Sequence, residues 1–297
     1  PFFMIGQVVF SAILPYNVRN GKECVTMEYR ILGKTGLKIS RMGFGGIPIQ
    51  RIDAEGTKAL MHKLLENGVN YIDTARGYTV SEEYLGIGLE GIREHFVLAT
   101  KSMSRTAEAM AKDIDISLKN LRTDYIDLYQ IHNAPPADVE KVCSPGGALE
   151  ALTAAKKAGK IGHIGITAHS LETFRMALEL PWVETIMFPY NIVEDQAKEL
   201  IHVCAEKNTG FIAMKPLAGG AIEDAVTALR YVCANPDVTV VIPGMADIAE
   251  LNQNLAAVND SSPLSVEEEA KMRAIRDALG TQFCRRCNYC QPCSAGI

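Results

Sequence analysis

Several features are missing from this 297-residue chain, and each absence narrows what it can do. Lys and Arg are interspersed with Asp and Glu, the formal net charge is −5, and there is no long basic block. A nucleic-acid partner is therefore not expected, because such partners are held by clustered cations. The apolar stretch PFFMIGQVVFSAILP at the start falls short of the roughly 20 residues a membrane span needs. It also lacks the basic leader of a secretory signal. No G-x-G-x-x-G opens a helix after a strand, since GFGG at 43–46 is not that fingerprint, and a doubly wound dinucleotide fold would need it. No His-x-His pair closes any strand-like run, which counts against a metal-dependent hydrolase.

What is present suits one large core. The chain is 47% hydrophobic, and an α/β barrel of about 250 residues would use most of it. Apolar, β-rich runs recur at 41–46 (RMGFGG), 71–75 (YIDTA), 96–102 (FVLATKS), 125–133 (YIDLYQIHN), 163–169 (HIGITAH), 185–191 (TIMFPYN), 210–216 (GFIAMKP) and 238–244 (VTVVIPG). Segments of helical period such as EGTKALMHKLLENG and DQAKELIHVCAEKN separate them, with Gly68, Gly159 and Gly210 expected as left-handed helix ends. Strands alternating with helices imply a parallel sheet, and eight such repeats predict a closed (β/α)8 TIM barrel. A hairpin (EYRILG, turn, LKIS) is expected before it, and a helix with Ser265 as N-cap after it. Three units follow: an N-terminal extension over 1–26, the barrel over 27–262, and a helix with a short cysteine-rich segment over 263–297. The chain opens without Met and stops soon after its cysteine cluster, so it is expected to be part of a longer one.

In such barrels chemistry sits at the C-terminal ends of the strands. Here those ends carry Asp73, Lys101 and His132, with Tyr78 in the loop after Asp73. Each alone has an unremarkable reading as a turn cap, a solvated lysine, a core histidine or a loop aromatic. Together, at three successive strand ends, they fit carbonyl reduction. Hydride delivered to a carbonyl carbon leaves charge on oxygen, and that oxygen needs a proton. A tyrosine hydroxyl is a weak acid until a neighbouring ammonium stabilises its phenolate. A carboxylate keeps that ammonium charged, and a neutral imidazole can orient the carbonyl.

GVNYIDTARGYTVSEEYLG, LATKS and YIDLYQIHN together resemble the aldo-keto reductase family, from about Met27 to Asn259. The resemblance implies Tyr78 as general acid, Asp73 and Lys101 as its tuning pair, His132 as the substrate-orienting group, a small carbonyl substrate and NAD(P)H as hydride source. It also places cofactor contacts at Thr167, His169, Asn191, Met214, Lys215, Pro216, Leu217, Gly219, Gly244 and Asn254. There are departures: Ala168 stands where the family usually has Asn, Met187 where Gln is common, and Met214 where an aromatic often stacks. After Gly244 come Met245, Ala246 and Asp247, with none of the cations that would pair with a 2′-phosphate. Asp247 would repel such a phosphate or would cap the next helix. NADH is therefore expected to serve at least as readily as NADPH, or nucleotide to bind weakly. The prolines and glycines of NAPPADVEKVCSPGG, after His132, mark a candidate lid. A nucleotide-binding, redox-sensing or regulatory subunit with little turnover is the alternative function.

The chain has eight cysteines. Cys204 and Cys233 sit in apolar helical patterns and are expected as buried thiols. Cys284, Cys287, Cys290 and Cys293 form C-x2-C-x2-C-x2-C among polar residues. The spacing resembles the opening of a ferredoxin-type motif, as in the aldo-keto reductases that carry a C-terminal ferredoxin-like extension. That resemblance implies a 4Fe-4S cluster in the complete protein and an electron-transfer partner. Zinc held by four thiolates and a metal-free segment are the other readings. Metal-binding thiols in an acidic chain without a signal point to the cytoplasm.

Overall fold

The structure is a computed structural model that describes residues 27–280. The expected extension over 1–26 and all four closely spaced cysteines, Cys284, Cys287, Cys290 and Cys293, lie outside the described residues. The hairpin forms first, from β1 (Tyr29–Ile31) and β2 (Lys38–Ser40), paired antiparallel. Eight further strands follow: β3 (Phe44–Gly45), β4 (Tyr71–Asp73), β5 (Val97–Ser102), β6 (Ile126–Ile131), β7 (Ile161–Thr167), β8 (Thr185–Pro189), β9 (Gly210–Met214) and β10 (Val240–Val241). They make one eight-stranded parallel sheet in sequence order. Parallel bridges Met42 to Val241 and Gly45 to Gly244 join its two edges. The Gly43 amide donates to the Val241 carbonyl at 2.8 Å, and that of Gly45 to Pro243 at 3.0 Å. The sheet therefore closes into the expected (β/α)8 barrel.

The helices around it are α1 (Ala54–Glu66), α2 (Ser81–Gly88), α3 (Ala107–Asn120), α4 (Pro136–Cys143), α5 (Ala148–Lys157), α6 (Leu171–Glu179), α7 (Lys198–Glu206), α8 (Ala225–Cys233), α9 (Ile248–Val258) and α10 (Val266–Leu279). Among the described residues, no helix is long and apolar enough to cross a membrane. The helices bury apolar faces against the outside of the sheet in one continuous core. A second cluster, with Tyr71, Ala99, Leu128, Met187, Ile212 and Val240, fills the barrel interior. Leu32 and Ile39 of the hairpin region belong to it and stopper the N-terminal ends of the strands. Burying such a side chain completely is worth about 1.5–3 kcal/mol.

Local chemistry sets the helix starts. Asp53, Thr106, Ser170, Asp224 and Asp247 each accept a backbone N–H at an N-cap, and Ser265 forms a full capping box with Glu268. Gly68 and Gly159 end their helices at positive φ as expected. Gly210 does not: Asn208 takes the left-handed position after α7, with φ 52. Gly210 instead begins β9, where a Cβ would lie 2.6 Å from Leu32 Cδ1. It is glycine because the hairpin leucine needs its space. The segment after His132, expected as a long loop and candidate lid, carries helix α4 in its middle. Backbone bonds from Ala107 to Gly146 and from Ala148 to Arg105, 2.8 and 2.9 Å, pin its far end. Cys204 is buried as expected, whereas Cys233 is only half-buried.

Candidate active site

The C-terminal ends of β4, β5 and β6 bring Asp73, Lys101 and His132 to one mouth. Lys101 lies on the same strand row as Gln130, by the β5–β6 register. Its side chain is only 1% exposed and Asp73 is 2% exposed. The Lys101 ammonium donates to Asp73 Oδ2 and, at 2.8 Å, to the Thr74 carbonyl. Burial raises the Asp73 carboxyl above its usual range, while Lys101 and Gln130 oppose that rise. Gln130 supplies a second donor, its Nε2 lying 3.1 Å from Asp73 Oδ1.

Tyr78 comes up beside this pair. Its ring centroid lies 4.8 Å from Lys101 Nζ, and its ring meets that of His132 edge-on at 5.9 Å. Burial, then the negative charge of Asp73, pushes its hydroxyl well above the ordinary phenol value. His132 is buried, and its pKa is pushed down to about 2. Burial is the main cause, followed by the positive charges of Lys101, His169, Arg105 and Lys215. The imidazole is therefore neutral at ordinary pH, with one N–H to donate.

The loop bearing Tyr78 is tied down at several points. The Arg76 amide donates to the Lys101 carbonyl at 3.0 Å, and the Ser81 amide to the Tyr78 carbonyl at 2.8 Å. Thr79 stands at φ 39, a strained value for a β-branched residue. Glu82, buried at the start of α2, anchors the loop from behind. Its Oε1 accepts from Thr100 and Ser117 at 2.8 and 2.7 Å, and its Oε2 from Arg76 at 3.1 Å. On the His132 side, Arg105 donates to the carbonyls of His132 and Asn133 at 2.8 and 3.1 Å while paired with Asp138 at 2.8 Å. Sequence reasoning missed Gln130, Glu82 and Arg105. Glu82 resembles an ordinary acidic first-turn residue, and the spacing offers no sign of its burial.

The expected cofactor positions lie on β7 and β9, in the segments that follow β7 to β10, and on α9. Thr167 Oγ1 accepts the Asn133 amide at 2.8 Å, and His169 Nδ1 lies 2.9 Å from Asn133 Oδ1. Asn191 is fully buried and engaged at both ends of its amide. Its Oδ1 accepts from Val193 and Glu194 at 3.0 and 2.9 Å, and its Nδ2 donates to Glu194 Oε2 and the Lys215 carbonyl, each at 3.0 Å. Met214 ends β9 and is nearly buried, followed by Lys215 with φ 54. Pro216 is buried and Leu217 half-buried; Ala218, Gly219 and Gly220 then take left-handed backbone, with the two glycines exposed. Gly244 is exposed, and a Cβ there would meet Pro48 Cγ at 2.6 Å. Asn254 is buried on α9. Asp247 accepts the Glu250 amide at 2.8 Å, and Glu250 reaches back to the Ala246 amide at 2.6 Å. Asp247 is thus a helix cap. Among the described residues, no group of three or more His, Cys, Asp or Glu is placed to hold a metal.

Similar proteins bear on this geometry. The pattern of the Aldo/keto reductase family matches residues 41–227. L-galactose dehydrogenase of Arabidopsis thaliana is 28% identical over 294 residues, spanning 82% of this chain and 92% of that protein. Aldo-keto reductase YhdN of Bacillus subtilis is 33% identical over 205 residues, 61% of this chain and 59% of its own. Among solved structures, the holo form of aldo-keto reductase AKR11C1 from Bacillus halodurans matches with TM-score 0.73 at 26% identity, over 84% of this chain and 96% of that one. A parallel eight-stranded barrel, ionisable strand ends gathered at one mouth and these relatives agree: the chain belongs to the aldo/keto reductase family and is an NAD(P)-dependent oxidoreductase.

Proposed function

We propose that this protein reduces the carbonyl group of a small aldehyde or ketone, with Tyr78 as the proton donor. One observation carries the reading: Lys101 Nζ touches Asp73 and lies 4.8 Å from the Tyr78 ring centroid. NAD(P)H, when bound, supplies the hydride. The side chains do the rest. Asp73 and Gln130 hold the Lys101 ammonium in place, and Lys101 offsets the burial and negative charge that otherwise keep Tyr78 from giving up its proton. Neutral His132 donates to the carbonyl oxygen and sets its approach. Arg105 and Glu82 keep the two loops in register.

The residues present fit the nucleotide. Met214 offers a polarisable thioether face to a nicotinamide ring. The left-handed residues Lys215, Ala218, Gly219 and Gly220 suit a pyrophosphate passing close to the main chain, with Pro216 and Leu217 between them. Thr167, His169 and Asn191 border the ring end, with Asn191 acting through the turn it stabilises. Gly244 and Asn254 border the adenosine end. The Asp247 carboxylate caps the Glu250 amide in the first turn of α9 and the Glu250 carboxylate takes the Ala246 amide just before it, so a 2′-phosphate there would meet two like charges. NADH is therefore expected to bind at least as tightly as NADPH. Dissociation constants for both, measured alongside turnover of an aldehyde and ketone panel, test the reading. Strong preference for NADPH would remove the adenosine-end argument. Failure to oxidise either nucleotide with any carbonyl would remove the activity.

The proposal extends to the terminal cysteines. Cys284, Cys287, Cys290 and Cys293 serve as ligands of an iron–sulfur cluster in the complete protein, reached by an electron-transfer partner; their spacing supports this. Iron and acid-labile sulfide are expected in anaerobically purified protein. One equivalent of zinc without sulfide would reject the cluster.

A further inference from the structure

Resting on the reading of Asp73 and Lys101 above, we infer that Gln130 is a positioning residue for Asp73, held in place by a row of residues running around the barrel interior. Lys101 pairs with Gln130, Gln130 with Gly165 and Gly165 with Thr185 across three successive strand pairs. The two oxygens of Asp73 are thereby divided. Oδ2 takes the Lys101 ammonium and Oδ1 takes the Gln130 amide at 3.1 Å. Only the NH2 end of an amide can face a carboxylate, so this contact fixes the orientation of the Gln130 side chain.

The row makes room for it. A Cβ on Gly165 would lie 2.2 Å from Thr185 Oγ1 and 3.2 Å from Gln130 Cγ. Glycine at 165 therefore leaves the space that the glutamine stem and the threonine hydroxyl occupy. Gln130 is 0% exposed, and its Oε1 and the Thr185 hydroxyl find no hydrogen-bond partner among the described residues. Buried amide oxygens are normally paired. A leucine or methionine would fill this space without leaving one unpaired. What glutamine adds is the N–H that Asp73 receives.

Among the described residues, the other groups that bear on Asp73 come from its own strand, its two neighbouring strands and the following loop. Lys101 faces it from β5, Tyr71 lies on its own strand, Tyr78 comes from the following loop, and β3 contributes Phe44 and Gly45 only. His132 feels the positive charge of Lys101. Gln130 is the neutral donor that stabilises the ionised carboxylate without adding a charge.

The test is the pH profile of kcat/KM and kcat for Gln130→Leu and Gln130→Glu. In Gln130→Leu, kcat should fall about 10–100-fold, with nucleotide dissociation constants unchanged. Asp73 then protonates earlier as the pH falls, so the acid limb moves to higher pH. In Gln130→Glu two facing carboxyls share one proton, and the protonated one still donates to Asp73. Activity is kept at low pH and lost, as pH rises, where wild type is still active. Equal losses at every pH in both variants, or a wild-type profile in Gln130→Leu, would overturn the inference. If Gln130→Leu does not fold, the isosteric Gln130→Glu decides alone. Full turnover in Tyr78→Phe would defeat the underlying reading as well. An inactive Tyr78→Phe with unmoved Gln130 profiles would defeat this inference only.

Discussion

Tyr78→Phe is expected to lower kcat by about 10²–10⁴-fold, the usual worth of a positioned general acid, while both nucleotides bind as tightly as before. The reason lies in what the substitution leaves alone. The phenyl ring keeps the edge contact with His132 and the face toward Lys101. The backbone around it remains fixed by Arg76, Ser81 and Glu82, so the thermal midpoint should not move. Only the hydroxyl proton is lost. Burial and Asp73 make that proton hard to remove, and Lys101 is the counterweight. On the proposed mechanism, without the hydroxyl the oxygen formed by hydride arrival would have to be protonated by water or by neutral His132, a poor acid. A single-turnover measurement, with nucleotide oxidation followed after mixing with a carbonyl substrate, isolates the step. A rate equal to wild type would take Tyr78 out of the mechanism.

How much of this was legible in the sequence depended on the kind of signal. Asp73, Lys101 and His132 each end an apolar run, and a barrel has only one mouth at which such ends can meet. The pattern therefore carried three-dimensional information. Gln130 is one of several polar residues in YIDLYQIHN, and only the β5–β6 register beside Lys101 and its bond to Asp73 reveal what it faces. Glu82 follows a serine at a helix start, where acidic residues are favoured by the dipole and usually solvated. Its burial comes from α3 and β5, distant in sequence. Gly210 was misread because glycine after a helix commonly marks a left-handed end, whereas here close approach to Leu32 claims it. The segment after His132 reads as a loop because prolines and glycines suggest one. Its first prolines instead open α4, where Pro136 occupies the first helical position and its missing N–H costs nothing. Asp247 had two sequence readings, repulsion of a phosphate and helix capping. The capping bond is made, so capping is the role that the fold gives this carboxylate.

Lys101→Met should be the most destabilising change at the mouth, and its cost should grow with pH. The substitution leaves the buried Asp73 carboxylate without its cation; breaking one side of a buried pair typically costs about 3–5 kcal/mol. Asp73 can escape by taking up a proton. Burial already raises its pKa, and removing Lys101 removes the largest opposing influence, so the folded-state value rises further above the unfolded one. A carboxyl with a raised folded value is stabilising while protonated, and that contribution disappears as the pH climbs through the folded value. Unfolding midpoints of Lys101→Met should therefore lie nearest wild type at acid pH, where Asp73 is protonated, and fall progressively below it as the pH rises. Adding Asp73→Asn removes the buried charge, and the double variant should recover most of the lost stability with little pH dependence. It should not recover turnover, because Tyr78 still lacks an ammonium beside its ring. Stability and activity would then separate at one ion pair, with the carboxylate accounting for the first and the ammonium for the second. A Lys101→Met protein as stable as wild type across the whole range would show that Asp73 is not held ionised by Lys101, and the proton-transfer assignment would fall with it.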